Sequence, residues 1–317
     1  MLVTNKKRVA VIGECMIELQ SRGSDIVRTI GGDTLNTAVY LSRFTTSENV
    51  DVSYITSLGK DKFSKEMLEY WDEEGINTDN VTISETKQTG LYLIETDASG
   101  ERSFFYWRND SAAKYWMKGQ SLEQLKSMLS SFDVIYFSGI SLAILPDEDR
   151  EKLFTLLRAS RENGALIVFD NNYRPQLWAS KQDTAIAYEK ALSLTDIALL
   201  TLDDELMLYG EHSSYEAISR TKQLGVAEVV LKRGSEDCLV SNSEKITAIP
   251  TIPVNKIIDT TAAGDSFSAG YLASRLTGNS AEEAALEGHL LASMVIQHPG
   301  AIFPSDLMPS LSHEERQ

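Results

Sequence analysis

The run Asp259-Thr-Thr-Ala-Ala-Gly-Asp265-Ser-Phe-Ser-Ala-Gly270 combines small residues with carboxylates. Ala262, Ala263 and Gly264 stand at the very start of a helical stretch, Ala263–Leu276. N–H groups at a helix start lack intrahelical partners and form an anion site, which the helix dipole strengthens. Small side chains let a phosphate approach that backbone. A carboxylate beside a phosphate is repelled by it, so Asp265 needs another reason to be there. It has one as a general base, taking the proton from a hydroxyl aimed at phosphorus. An isolated Gly-Asp before a helix is more simply an N-terminal cap. The flanking Thr-Thr-Ala-Ala and Ser-Ala-Gly are too particular for that reading.

A second run, Gly31-Gly32-Asp33-Thr-Leu-Asn36-Thr-Ala38, opens another helix. Paired glycines admit a ligand close to the backbone. Asn36 lies in the first turn, where an amide can bond hydroxyls. Gly32, Asp33 and Asn36 are the candidates here, and the alternative is a turn with a helix cap.

These runs need a scaffold, and the apolar pattern supplies one. Val9–Ile12, Val52–Thr56, Val134–Phe137, Leu166–Phe169, Ile197–Leu200 and Val229–Leu231 predict buried strands. Helices are predicted at Thr34–Phe44, at Lys62–Glu73 before Gly75, and at Asp147–Glu162 between Pro146 and Gly164. Ala263–Leu276 and Ala281–Gln297 are apolar on one face, and the polar tail after Met308 reads as frayed. Such alternation implies a mostly parallel sheet with helices on both faces. One region departs from it. Gly90–Glu95, an Asp97–Gly100 turn and Arg102–Trp107 read as a hairpin, and Met16–Ile30 is also strand-like. The two β excursions either pair into a small sheet or stand as separate surface hairpins.

Composition narrows the function classes. The 317 residues carry 46 acidic and 30 basic side chains, a net charge of −16. That field argues against nucleic acid or an anionic membrane as partner, yet leaves room for one small anion held locally. Cys15 and Cys238 form no CxxC, so neither a structural zinc site nor a disulfide framework is expected. No targeting segment or membrane span is legible, and the cytoplasm is the expected setting. There is no GxGxxG and no GxxxxGK[ST]. His212, His289, His298 and His313 show no metal spacing and read as ordinary residues. Gly139-Ile-Ser141-Leu-Ala143 lacks the second glycine of a nucleophile elbow and reads as a strand-to-helix turn.

The two glycine-containing runs, in this order and far apart in the chain, resemble the ribokinase-like, PfkB-type carbohydrate kinases. The C-terminal run fits that family's signature at every position, and the resemblance covers essentially the whole chain. It implies an α/β three-layer sandwich with a mostly parallel central sheet, formed by residues 1–317 as one kinase domain. It implies a small β-sheet lid from segments 14–31 and 86–110. Further segments point to a sugar-acid branch of the family: Glu14-Cys-Met-Ile-Glu18, Gly-Leu-Tyr92, Tyr106-Trp-Arg108-Asn and Phe-Asp170-Asn-Asn-Tyr-Arg174-Pro175. The implied reaction moves the γ-phosphoryl of Mg-ATP to the 6-hydroxyl of 2-keto-3-deoxygluconate. The resemblance places Tyr92, Tyr106, Arg108 and Arg174 in or near the sugar site. A guanidinium fork suits a carboxylate, which gives the two arginines a task. Arg174 follows a core strand, where α/β ligands bind.

For ATP the resemblance points to Lys232, Arg233, Gly234, Ser235 and Asp237, together with Ala262, Ala263 and Gly264. The family's Asn-x-x-Glu motif, tied to Mg2+, is replaced by Thr201-Leu-Asp-Asp204-Glu205. Asp204 or Glu205 is then the candidate for indirect metal contact. Lid sheets with an exposed edge pair between subunits, so a homo-oligomer is expected. Two rival readings remain: a kinase of a neutral sugar such as fructose or ribose, and a non-catalytic sugar sensor on the same fold.

Overall fold

Strand and helix alternate along nearly the whole chain, and the computed structural model resolves that alternation into layers. It describes residues 6–22, 25–45, 49–96, 102–243 and 245–308. The expected Asp97–Gly100 turn and the tail beyond Met308 lie outside the described residues. The chain opens with β1 (Lys7–Ile12), β2 (Met16–Arg22), β3 (Asp25–Gly31) and α1 (Asp33–Phe44). Next come β4 (Val50–Ile55), β5 (Ser57–Leu58), α2 (Lys62–Glu73), β6 (Thr82–Ile83), β7 (Gly90–Thr96) and β8 (Arg102–Trp107). The middle holds α3 (Leu122–Leu129), β9 (Val134–Ser138), α4 (Gly139–Ala143), α5 (Asp147–Glu162), β10 (Leu166–Asp170) and α6 (Lys181–Leu192). It continues through β11 (Ile197–Thr201), α7 (Leu202–Tyr209), α8 (Ser214–Gln223) and β12 (Glu228–Lys232). The last elements are β13 (Cys238–Asn242), β14 (Lys245–Ile249), α9 (Ala263–Leu276) and α10 (Ala281–Val295).

The large sheet runs β14-β13-β12-β11-β10-β9-β1-β4. Every pairing from β4 to β12 is parallel, and β13 and β14 add an antiparallel edge. That edge was not anticipated, because β14 has only one buried residue and so a weak apolar signal. Alternation along each strand feeds two cores. Val9 and Val11 pack with Leu35 and Leu272 on one face, and Ala10 and Ile12 with Leu125 and Leu157 on the other. The expected helices stand within two residues of their predicted ends. Ser138 caps α4 through Ser141, so the Gly139–Ala143 run is the turn into a short helix that its sequence implied.

The β excursions do pair. β3-β2-β7-β8 form a second, four-stranded sheet, antiparallel within each hairpin and parallel between β2 and β7. The register sets Glu18 opposite Tyr92 and Tyr92 opposite Tyr106, which places the three on one face. Both cysteines are buried and free. Among the described residues no helix is long and apolar enough to cross a membrane.

Candidate active site

Strand polarity gathers the polar residues. Glu14, Ser138, Asp170, Thr201 and Lys232 all lie at or just past the C-terminal ends of parallel strands. β1 sits inside the sheet with β4 on one side and β9 on the other, so the connections diverge there. A crevice opens at such a switch point. The start of α1 and the start of α9 converge on it.

Asp265 joins the two. Asn36 Nδ2 donates to Asp265 Oδ2 at 2.8 Å, and Thr37 Oγ1 donates to Asp265 O at 3.3 Å. Asp265 is half-buried, its carboxyl largely shielded from water, and its pKa is pushed up to about 7. Burial is the main cause, followed by the negative charge of Asp33. The Asn36 bond pulls the other way. Asp33 is itself held by two residues that sequence reasoning did not single out. Ser138 Oγ donates to Asp33 Oδ2 at 2.5 Å, and Asn172 Nδ2 to the same oxygen at 2.7 Å. Asn36 Oδ1 is buried with no hydrogen-bond partner.

The glycine pair before Asp33 is required by protein atoms. A Cβ on Gly31 would lie 2.3 Å from the Tyr92 hydroxyl, and one on Gly32 2.3 Å from Glu14 O. Ala262 carries the left-handed conformation, φ 60° and ψ 15°, before α9. A non-glycine residue there is held at a cost, a pattern found where backbone direction matters. The turn it makes gives the Ala263 N–H to Thr260 O at 3.2 Å. The expected set of three free amides is thus narrowed, with Gly264 lining the adjoining cavity.

That cavity measures about 700 Å³. Lys232 at the end of β12 and Arg233, Gly234 and Ser235 just after it line this cavity. Much of the remaining lining, including Ile252, Val254, Phe267 and Ile296, is apolar and suits a flat ring, beside polar residues such as Asp203 and Thr251. Asp237 is not among the lining residues; its carbonyl accepts from Arg233 Nε at 2.7 Å. His289 is, although its sequence context read as ordinary. It is buried edge-on to Phe267 at 5.0 Å, with Nε2 unpartnered, and burial lowers its pKa.

On the small sheet, Tyr92 and Tyr106 stack at 5.8 Å, and the Tyr92 hydroxyl donates to Glu18. Burial raises the Tyr106 pKa, while the charges of Arg108 and Arg174 oppose it, so both guanidinium groups lie near that ring. They differ in kind. Arg108 is buried and paired with the buried Glu14. Glu14 Oε1 and Arg108 Nε are left without partners. Arg174 is half-exposed, donating to Tyr173 O at 2.8 Å and to Asp204 at 3.5 Å.

Neither Asp204 nor Glu205 is an open ligand. Asp204 accepts from the Tyr173 N–H at 3.1 Å. Glu205 takes Asn171 Nδ2 at 3.1 Å and the Arg220 guanidinium. Burial raises the pKa of both. Among the described residues no group of three or more His, Cys, Asp or Glu could hold a metal ion. A further cavity of about 540 Å³ lies between β2–β3, α2 and residues 299–304. Its arginines are already paired, Arg28 with Glu66 and Arg43 with Glu74.

This layout can be compared with known proteins. The pfkB family of carbohydrate kinases matches residues 6–308. The chain is 55% identical over 307 residues to the 2-dehydro-3-deoxygluconokinase of Dickeya dadantii, covering 96% of this chain and 99% of that one. In structure it is similar to a fructokinase with bound ATP from Xylella fastidiosa, TM-score 0.81 at 22% identity, covering 97% and 96% of the two chains. It is also similar to a putative ribokinase II in complex with ATP and Mg2+ from Escherichia coli, TM-score 0.79 at 20% identity, covering 93% and 94%. The fold is therefore ribokinase-like, and the chain belongs to the pfkB family of carbohydrate kinases.

Proposed function

We propose that this protein transfers the γ-phosphoryl group of ATP to the 6-hydroxyl of 2-keto-3-deoxy-D-gluconate. The observation that carries the reading is Asp265. Its carboxyl, with a pKa pushed up to about 7, directly follows Ala263 and Gly264 of the large cavity's lining and is held by Asn36 from the start of α1. The name of the Dickeya dadantii relative supplies the substrate.

The sugar acid occupies the polar side. Asn36, Asp33 and the Gly32 backbone receive its hydroxyls, and Tyr92 and Tyr106 form a wall. Arg174 and Arg108 face the carboxylate. Arg108 is paired with Glu14 in the interior, whereas the more exposed Arg174 meets Asp204 only at 3.5 Å and is the freer of the two to turn to the carboxylate. ATP occupies the cavity, its phosphates toward Lys232, Gly264 and the start of α9.

The 6-hydroxyl oxygen attacks the γ-phosphorus in line. Its proton passes to Asp265, the bond from the γ-phosphorus to the bridging oxygen breaks, and ADP leaves with that oxygen. The first-turn amides of α9, Gly264 foremost, stabilise charge on the moving phosphoryl. Bound Mg2+ would neutralise phosphate charge. Such an ion keeps waters and phosphate ligands and needs few protein ones, which fits a site without a carboxylate cage. Asp204 would reach it only through water, and Glu205, saturated by Asn171 and Arg220, would steady α7. The small sheet serves as a lid that excludes water, and residues 1–317 act as one kinase unit.

The test is ADP release from Mg-ATP with 2-keto-3-deoxygluconate, run beside fructose and ribose. Turnover on the keto acid is expected. Turnover confined to a neutral sugar would overturn the substrate assignment. Saturable binding with no turnover on any of them would favour a sensor.

A further inference from the structure

Beneath the start of α9 lies a buried polar cluster of which the reaction scheme above uses only Lys232. Asp170 ends β10, and its Oδ2 accepts from three groups: Lys232 Nζ at 2.8 Å, Ser268 Oγ at 2.7 Å and the Tyr136 hydroxyl at 3.3 Å. Lys232 also donates to Ser268 Oγ at 3.1 Å. All four residues are buried. Lys232 nevertheless lines the large cavity, and its Nζ lies 3.6 Å from where a Cβ on Gly264 would stand. An ammonium on a flexible stem is a mobile point charge unless something fixes it. Here a carboxylate, a serine and the floor of the first helical turn fix it.

We propose that Asp170 is a positioning residue, which anchors the Lys232 ammonium under the first turn of α9 so that a fixed protein cation meets the phosphoryl group arriving at Gly264. The proposal rests on the phosphoryl-transfer reading and deepens it. Asp170 has no route to substrate; it acts through Lys232. A surface lysine could neutralise a phosphate equally well in charge, but only after losing its own freedom at the moment of reaction. The anchored ammonium has been ordered during folding.

The same pair bears on Asp265, and with opposite signs. The charged and titratable groups facing Asp265 are Asp33 and Tyr40 from α1, Tyr136 from β9, Asp170 from β10 and Lys232 from β12. Lys232 favours the ionised carboxylate, and Asp170 opposes it. A base must be ionised to act, so activity is lost as pH falls through its pKa. Removing Lys232 therefore moves the acid limb of kcat/KM to higher pH, and removing Asp170 moves it to lower pH.

Three variants test this: Asp170→Asn, Lys232→Met and the pair together. Each is assayed for kcat, for KM of the sugar acid and for the acid limb. Affinities for ADP and for a non-hydrolysable ATP analogue are measured by calorimetry. Each single variant should lower kcat by roughly 10- to 100-fold, with sugar-acid KM changed far less. The limbs should move apart, by about one pH unit each. Lys232→Met should weaken the triphosphate analogue more than ADP. The double variant leaves no buried charge unpaired, so it reports even where a single variant fails to fold. Its limb should return to the wild-type position while kcat stays low. Limbs that stay put or move together would overturn the proposal, as would wild-type kcat in the double variant. If Asp265→Asn keeps full turnover, the base assignment fails by itself, whatever these variants do.

Discussion

Replacing Asp265 by Asn separates catalysis from stability, and the structure sets the sign of each effect. The substitution keeps shape and removes charge. Asn36 tolerates it, because its unpartnered Oδ1 can accept from the new amide after a flip of the Asn36 side chain. Loss of the base should cut kcat by roughly 10²- to 10⁴-fold. In the wild type, kcat/KM should fall about tenfold per pH unit below the Asp265 pKa of about 7. The variant's residual rate should lack that limb. Stability should move the other way. A carboxyl whose folded pKa is raised from 3.8 to about 7 contributes stability below pH 3.8, and loses it as pH rises through 7. At pH 8 the wild type therefore carries an ionised, half-buried carboxylate at a cost of at most about 4 kcal/mol, at 1.36 kcal/mol per unit. Asp265→Asn should be the more stable protein at pH 8, and that advantage should shrink steadily toward pH 4. Thermal unfolding across that range, beside steady-state kinetics, checks both halves. Near wild-type turnover would refute the base. A variant less stable at pH 8 than the wild type would refute the electrostatic account of its burial.

The two arginines should separate in the same pair of assays. Arg174→Ala, at a half-exposed position, should raise sugar-acid KM about tenfold or more with little change in melting temperature, whereas Arg108→Ala should also cost about 3–5 kcal/mol by stranding Glu14. An unchanged KM in both would favour a neutral substrate. Gly270→Ala should destabilise by roughly 1–3 kcal/mol, because its Cβ would stand 2.8 Å from Glu287 O where α9 crosses α10; equal stability by urea denaturation would contradict that packing. The small sheet leaves β8 as an edge strand with Phe104, Phe105 and Trp107 exposed, so we expect a homo-oligomer paired through that sheet. Sedimentation of a monomer at micromolar concentration would refute it.

Local information made much of this protein legible. Val9–Ile12, Val134–Phe137 and Leu166–Phe169 are short continuous apolar runs, and a strand buried on both faces has no other composition open to it. Pro146 and Gly164 bracket α5 because one sets φ for a first turn and the other accepts a positive φ at the last. The Thr260–Asp265 run marked the start of α9 because the chemistry of helix starts is local.

What lay beyond reach depends on residues far apart in the chain meeting one another. Nothing local marks Arg108 as buried, yet Glu14, from just past the end of β1, meets it in the interior. Asp33 is a helix-start acid in sequence, and Ser138 and Asn172 arrive on it from two other strand ends. His289 and the apolar wall of the large cavity come from segments with no local mark of ligand binding. Types and spacings determined most of the elements, and pointed to helix starts rich in small residues, carboxylates and an amide as the place to look for a site. Only the tertiary structure decided which charges are paired, which are buried, and hence what Asp265 ionises at. Burial and electrostatic environment are sums over neighbours in space, and the order of residues along the chain does not contain them.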